Sequence, residues 1–172
     1  RAHTYASVPD VLLGADYIMT ANDDKDNPDH ELVFTVTAEG RLYLIIDNRV
    51  GTDVSNQEMQ DPDLSGVMTW VTEMGFEDTG LNVGIDEAAD GSINQWSSVF
   101  ALAVKPGEFT LGEQNDGGGR NMYSVAFGAP RMKASKPSPA DGDQGVTTPL
   151  LQWTKGDTAV FHNVYLGTSP EL

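Results

Sequence analysis

Between Arg1 and Lys133 the chain carries almost no helical periodicity, and this constrains its fold more than any other feature. Apolar residues come in short runs separated by Gly, Asn, Asp and Pro. Over Glu31–Thr37, Leu32, Phe34 and Val36 alternate with Val33, Thr35 and Thr37. An extended backbone turns successive side chains to opposite faces, so this spacing suits a strand with one buried face. A hairpin-like break at Glu39–Gly40 leads into a second run, Arg41–Asp47. Leu81–Ile85, Ser97–Val104, Glu108–Leu111 and Met122–Phe127 complete the set. Their β-branched content, with turns between them, predicts an all-β fold, an antiparallel sandwich or jelly roll. The single helical turn expected is short and lies in Leu64–Glu73.

The composition changes after residue 130. Pro137, Pro139 and the pair Asp141-Gly142 make a stiff, non-helical entry, so 131–145 reads as a linker after a module at 1–130. Thr148–Trp153 and Ala159–Leu166 then read as two short strands around a Lys155-Gly156-Asp157 turn. Through Leu151-Gln152-Trp153 and the run Val164–Ser169, residues 146–172 resemble the opening strands of a fibronectin type III-like or immunoglobulin-like domain. That resemblance implies a core role for Trp153. A sandwich of that kind takes roughly seven strands and about 100 residues, more than the segment holds. The expectation is a piece of a longer multidomain polypeptide, secreted or at the cell surface, that opens on Arg1 as if processed.

Charge narrows the partners. Ten Lys and Arg against 26 Asp and Glu give a formal net charge of −16 in 172 residues. That field repels nucleic acid and anionic membranes and attracts divalent cations. No apolar stretch approaches the length of a membrane-spanning helix, so no membrane insertion is expected. The absence of cysteine removes disulfides, thiolate zinc sites and thiol chemistry together.

A dense series of short motifs runs through residues 3–128. It includes Leu13-Gly14-Ala15-Asp16-Tyr17-Ile18, Thr20–Lys25, Leu42-Tyr43-Leu44, Asp47-Asn48-Arg49, Gly75–Gly80, Thr110-Leu111-Gly112 and Asn121–Val125. In this order they resemble a β-sandwich accessory module found in secreted bacterial polysaccharide-degrading enzymes and other extracellular multidomain proteins. The resemblance implies a non-catalytic, carbohydrate-binding role. The acidic insertion Gly51–Gly66 departs from the pattern, being longer than expected before Trp70.

Sugar binding by such a module needs flat aromatic faces for the C–H faces of pyranose rings, and amides or carboxylates for the hydroxyls. Trp96 and Trp70 stand near loops rather than within apolar runs, and Asn94 and Gln95 flank Trp96. These four residues form the expected carbohydrate site, against the plainer reading that both indoles pack in the sandwich. Tyr5, Tyr17, Tyr43 and Tyr123 are expected in or near the core. The hard oxygens of Asp23, Asp24 and Asp26, and separately Asp86 and Asp90, suit a structural calcium ion, although Asp-Asn-Pro runs also make ordinary turns. The second loop falls short of the EF-hand pattern, with Ala88 at its third position and Ser97 in place of the closing Glu. A further acidic group is Asp53, Glu58, Asp61 and Asp63.

Asp47 and Arg49 are expected to form a bidentate pair that ties the Asn22–Lys25 loop to the sheet through Asp23 or Asp24. The alternative role for Arg49, contact with an anionic sugar, runs against the negative field. His3, His30 and His162 are scattered outside any nucleophile or metal motif, and Gly117–Gly119 lacks the Lys-Ser/Thr of a phosphate loop. The function expected is therefore a non-catalytic extracellular module that binds polysaccharide. The alternatives are a structural spacer of a fibre, adhesin or surface layer, in contact with itself or with other domains of the polypeptide, and, behind both, a glycan hydrolase or lyase.

Overall fold

The computed structural model describes residues 3–52, 58, 60–129, 134–140, 142–144, 147, 150–156, 161, 163 and 164. In chain order the strands are β1 (Thr4–Ser7), β2 (Asp16–Ile18), β3 (Leu32–Val36), β4 (Gly40–Asp47), β5 (Glu77–Asp86), β6 (Gln95–Val104), β7 (Gly107–Leu111), β8 (Ser124–Gly128), β9 (Ser135–Ser138) and β10 (Gln152–Thr154). Among the described residues the one α-helix is a single turn, α1 (Trp70–Glu73). The fold is all-β and antiparallel. The chain divides into two compact units, Arg1–Ala129 and Pro130–Leu172.

The first unit is built around β4. Its sequence Leu42-Tyr43-Leu44-Ile45-Ile46 is apolar at every position, because the strand is covered on both faces. It pairs on one side with β6, from Gly40↔Val104 to Asp47↔Ser97, and on the other with β8, from Arg41↔Gly128 to Ile45↔Ser124. With β5, β1 and β2 added, the six-stranded order is β1-β5-β6-β4-β8-β2. The right-handed twist of successive strands curls this sheet until its two edges meet through side chains. Tyr5 on β1 and Tyr17 on β2 stand edge to face with centroids 5.7 Å apart and hydroxyls 2.7 Å apart, and the Tyr5 hydroxyl also bonds Ser124 Oγ at 2.7 Å.

On the convex face Leu42, Leu44, Ile46, Phe100, Val104 and Val125 pack beneath the β3–β7 ribbon, α1 and the Leu64–Met68 segment. On the concave face Tyr43, Ile45, Val83, Val99 and Ala126 are capped by Leu12, from the 3₁₀ turn Asp10–Leu12. Each fully buried Leu, Ile or Val contributes about 1.5–3 kcal/mol.

The structure corrects the expected β3–β4 hairpin. β3 pairs only with β7, so at Glu39–Gly40 the chain leaves the ribbon and enters the sheet. Gly40 permits this crossing, since a Cβ there would sit 2.6 Å from both the Gly128 carbonyl oxygen and the Phe127 ring. The short edge strands β1 and β2 carry too little alternation to be seen in sequence. The helix is confined to the last residues of the expected Leu64–Glu73 turn.

In the second unit, Ser135–Ser138 of the expected linker forms β9, which pairs with β10 through Gln152↔Ser138 and Thr154↔Ser135. Trp153 on β10 is exposed. Thr148, Pro149, His162, Asp53 and most of the strand expected over Ala159–Leu166 lie outside the described residues.

Candidate functional site

At one end of the first unit, the loops after β4, after β5 and before β8 meet around Asp47. Its buried carboxylate accepts hydrogen bonds from the Arg49 backbone N–H and Nε, each at 2.9 Å, from Arg49 Nη2 at 2.5 Å and from the Asn121 N–H at 2.8 Å. The bidentate pair is therefore present, but its third partner is the Asn121 loop, and neither Asp23 nor Asp24 takes that place. Glu87 extends the cluster: its Oε1 accepts from Asn121 Nδ2 at 2.8 Å and lies 3.9 Å from Arg49 Nη2. Asp47 and Glu87 hold the guanidinium in its charged form, against burial that acts the other way. Arg120 ties the same loops by donating to the Arg49, Thr52 and Gly118 carbonyls. These donors are engaged inside the fold, so the cluster is a clasp holding three loops together.

Of the expected sugar-stacking indoles, that of Trp70 is engaged inside the fold. Trp70 donates Nε1–H to the Glu113 carbonyl at 2.9 Å and meets Tyr123 edge to face at 5.7 Å. Gly112 lies flat beneath it, for a Cβ at that position would be 3.0 Å from the indole. Trp70 thus packs against the convex core and is not a platform. Trp96 is half-buried on β6 opposite Gly84, and its carbonyl accepts the Asn48 N–H at 3.1 Å. Asn94 closes the β5–β6 loop: its Oδ1 accepts from the Glu87 and Ala88 N–H groups and its Nδ2 donates to Ser92 Oγ. Gln95 Oε1 is buried and, among the described residues, without a partner.

Of the carboxylates read as calcium ligands, Asp86 and Asp90 anchor the β5–β6 loop. Asp86, buried, accepts from the Ala89 N–H at 2.6 Å through Oδ1 and from the Gly91 N–H at 2.7 Å through Oδ2. Asp90 accepts from the Ser92 N–H, and its hydrogen bonds to Ser92 hold its pKa below the usual carboxylate value. Asp24 faces His30 Nδ1 at 3.6 Å, Asp26 packs on Gly117, and Asp23 is exposed. Among the described residues, no three Asp, Glu or His side chains converge in metal-holding geometry.

A groove of about 500 Å³ opens at the other end of the concave face. Strand pairing places Arg41 opposite Ala103 and Glu77 opposite Ala101, with Tyr43 opposite Ala101 from the other side. Arg41, Ala101, Ala103 and Glu77 therefore share one face, two charged ends over a floor of small methyls. Gly75, Asp78, Thr79 and Leu102 complete the lining.

A β-bulge borders the acidic wall. Between Asp78↔Phe100 and Leu81↔Val99 the register slips, and Gly80 takes φ +67°, a left-handed conformation costly for other residues. The bulge is held by Asp78 Oδ1 accepting the Gly80 N–H at 3.0 Å and by Thr79 Oγ1, which donates to the Val99 carbonyl at 2.6 Å and accepts the Leu81 N–H at 3.2 Å. The bulge follows directly on Glu77 and Asp78, which both line the groove. Arg41 and Glu77 are exposed, and no hydrogen bond or ion pair holds either among the described residues.

Sequence reasoning missed this site. Glu77-Asp78-Thr79-Gly80 stood among the motifs, and a glycine inside a strand run is the signal for a bulge. Nothing in the sequence, however, brings Arg41 to Glu77 across β6. No known protein family, no curated protein and no solved structure matches the chain. The functional reading accordingly rests on the geometry of the site itself.

Proposed function

We propose that the chain is a non-catalytic glycan-binding module that recognises sugar hydroxyls in the groove between Arg41 and Glu77. The observation that carries this reading is the groove itself, in which exposed, unengaged charged groups stand over an alanine floor. Its volume lies within the roughly 300–1,000 Å³ typical of small-molecule sites. A sugar hydroxyl both donates and accepts, whereas a guanidinium only donates and a carboxylate only accepts. The two together match a hydroxyl-rich surface, and the methyl floor of Ala101 and Ala103 lets a pyranose ring approach closely. With no aromatic in the lining, binding comes mainly from charge-assisted hydrogen bonds. In a longer polypeptide such a module would raise the local concentration of neighbouring domains on a polysaccharide.

Removal of one charge-assisted hydrogen bond costs about 1.5–3 kcal/mol, roughly a 10- to 100-fold rise in Kd. Retention on immobilised polysaccharides and titration calorimetry should show that loss in Arg41→Ala and Glu77→Gln with an unchanged melting temperature. Trp96→Ala should bind as the parent does. Binding lost in Trp96→Ala and kept in the groove variants would refute the assignment.

A second reading, a structural spacer, draws support from an apolar crevice of about 160 Å³ beside β2, an edge strand of the six-stranded sheet, lined in part by Ile18, Phe34, Val125 and Phe127. Sheet edges invite strand addition. Association that rises with concentration, with no glycan retained, would favour it.

A further inference from the structure

Resting on the glycan reading, we infer that the groove takes an uncharged polysaccharide, gripping neighbouring hydroxyls between Arg41 and Glu77, and turns away uronate and sulfated chains. The argument begins with charge at the site. Arg41 is the one cationic side chain among the described residues of the lining, and it shares the groove with the carboxylates of Glu77 and Asp78. A ligand carboxylate or sulfate that approached Arg41 would enter the groove that both acids line. Arg41, Glu77 and Asp78 line one groove, and charges closer than the screening length, roughly 8 Å at physiological ionic strength, act on one another through salt.

The rest of the chain adds to the exclusion. Its 26 acidic and ten basic residues set a negative field that lowers the local concentration of any polyanion before contact. A neutral diol meets none of this. One hydroxyl oxygen accepts from the Arg41 guanidinium while its neighbour donates to Glu77. Asp78 keeps Oδ2 available as a further acceptor, since its Oδ1 is engaged with the Gly80 N–H. Glu77 holds its place through the regular β5–β6 ladder, opposite Ala101, and the bulge that follows anchors Asp78 and Thr79 beside it.

The test uses the full chain on a panel of neutral glycans (cellulose, xylan, mannan, dextran and a β-1,3-glucan) and acidic ones (polygalacturonate, alginate and dextran sulfate). The expected result is retention on at least one neutral glycan and on none of the acidic ones. Affinity should change less than twofold between 50 and 500 mM NaCl and fall at least tenfold in Arg41→Ala and in Glu77→Gln. Retention on an acidic glycan that Arg41→Ala abolishes would overturn the inference and leave the glycan reading standing. Neutral binding untouched by both variants would place the sugar elsewhere and overturn the inference too. Retention on nothing would overturn the glycan reading on which the inference rests.

Discussion

Replacement of Asp47 by alanine tests whether the three-loop clasp holds the first unit together. The carboxylate is buried and accepts from Arg49 at its backbone N–H, Nε and Nη2, and from the Asn121 N–H. Its removal leaves a largely buried guanidinium without its main counter-charge and two backbone N–H groups without that acceptor. Breaking a buried pair from one side costs about 3–5 kcal/mol. The Arg49 side chain retains 19% exposure and keeps Glu87 at 3.9 Å, so some of that loss relaxes into water. An expected loss of about 3 kcal/mol follows, or roughly a 10 °C fall in melting temperature for a unit of this size. Urea titration followed by tryptophan fluorescence would measure it. Arg49→Ala should cost less, because the carboxylate keeps the two backbone donors. The double variant should show a coupling of at least about 1 kcal/mol. A loss below about 1 kcal/mol in Asp47→Ala, or strictly additive single effects, would refute the clasp.

The other expectations are smaller or more local. Trp70→Phe removes the bond to the Glu113 carbonyl and part of the contact with Tyr123, so about 1–2 kcal/mol should be lost in the same titration while glycan retention is unchanged. Gly51→Ala puts a Cβ 1.9 Å from the Asp63 carbonyl oxygen at φ +70°, which should cost about 2–4 kcal/mol, whereas Gly66→Ala, with open space around it, should stay within about 0.5 kcal/mol. Burial pushes the Tyr5 and Tyr123 hydroxyls above the ordinary tyrosine value. In the folded state they stay protonated where the unfolded chain has begun to ionise, so their contribution is intact below pH about 10 and declines as pH rises beyond it. Thermal melts from pH 8 to 11.5 should show this decline, with a shallower slope in Tyr5→Phe/Tyr123→Phe; a flat profile would contradict it.

The legibility of the fold varied with how local its cause was. Leu32–Val36, Arg41–Asp47 and Ser97–Val104 announced their strands because alternation and β-branching act within a few residues. Asp47 and Arg49 could be paired on paper because two residues of one chain segment suffice to make the contact. The partner they hold, Asn121, is far along the chain, and nothing near Asp47 indicates it. Trp70 stands near a loop beside Thr69, and the sequence left open whether it stacks on a sugar or packs in the sandwich. It is drawn inward by the Glu113 carbonyl and Tyr123, both supplied from beyond β7.

By itself, then, the sequence determined the all-β class, the central strand and the acidic field, which depend on residue type and short-range order. Only the tertiary structure decided that β3 leaves β4 for β7, that the sheet curls until Tyr5 meets Tyr17, and that Arg41 and Glu77 face one groove. Those outcomes depend on which strands lie side by side. Pairing partners are chosen by the burial of whole faces, a quantity that no single segment carries.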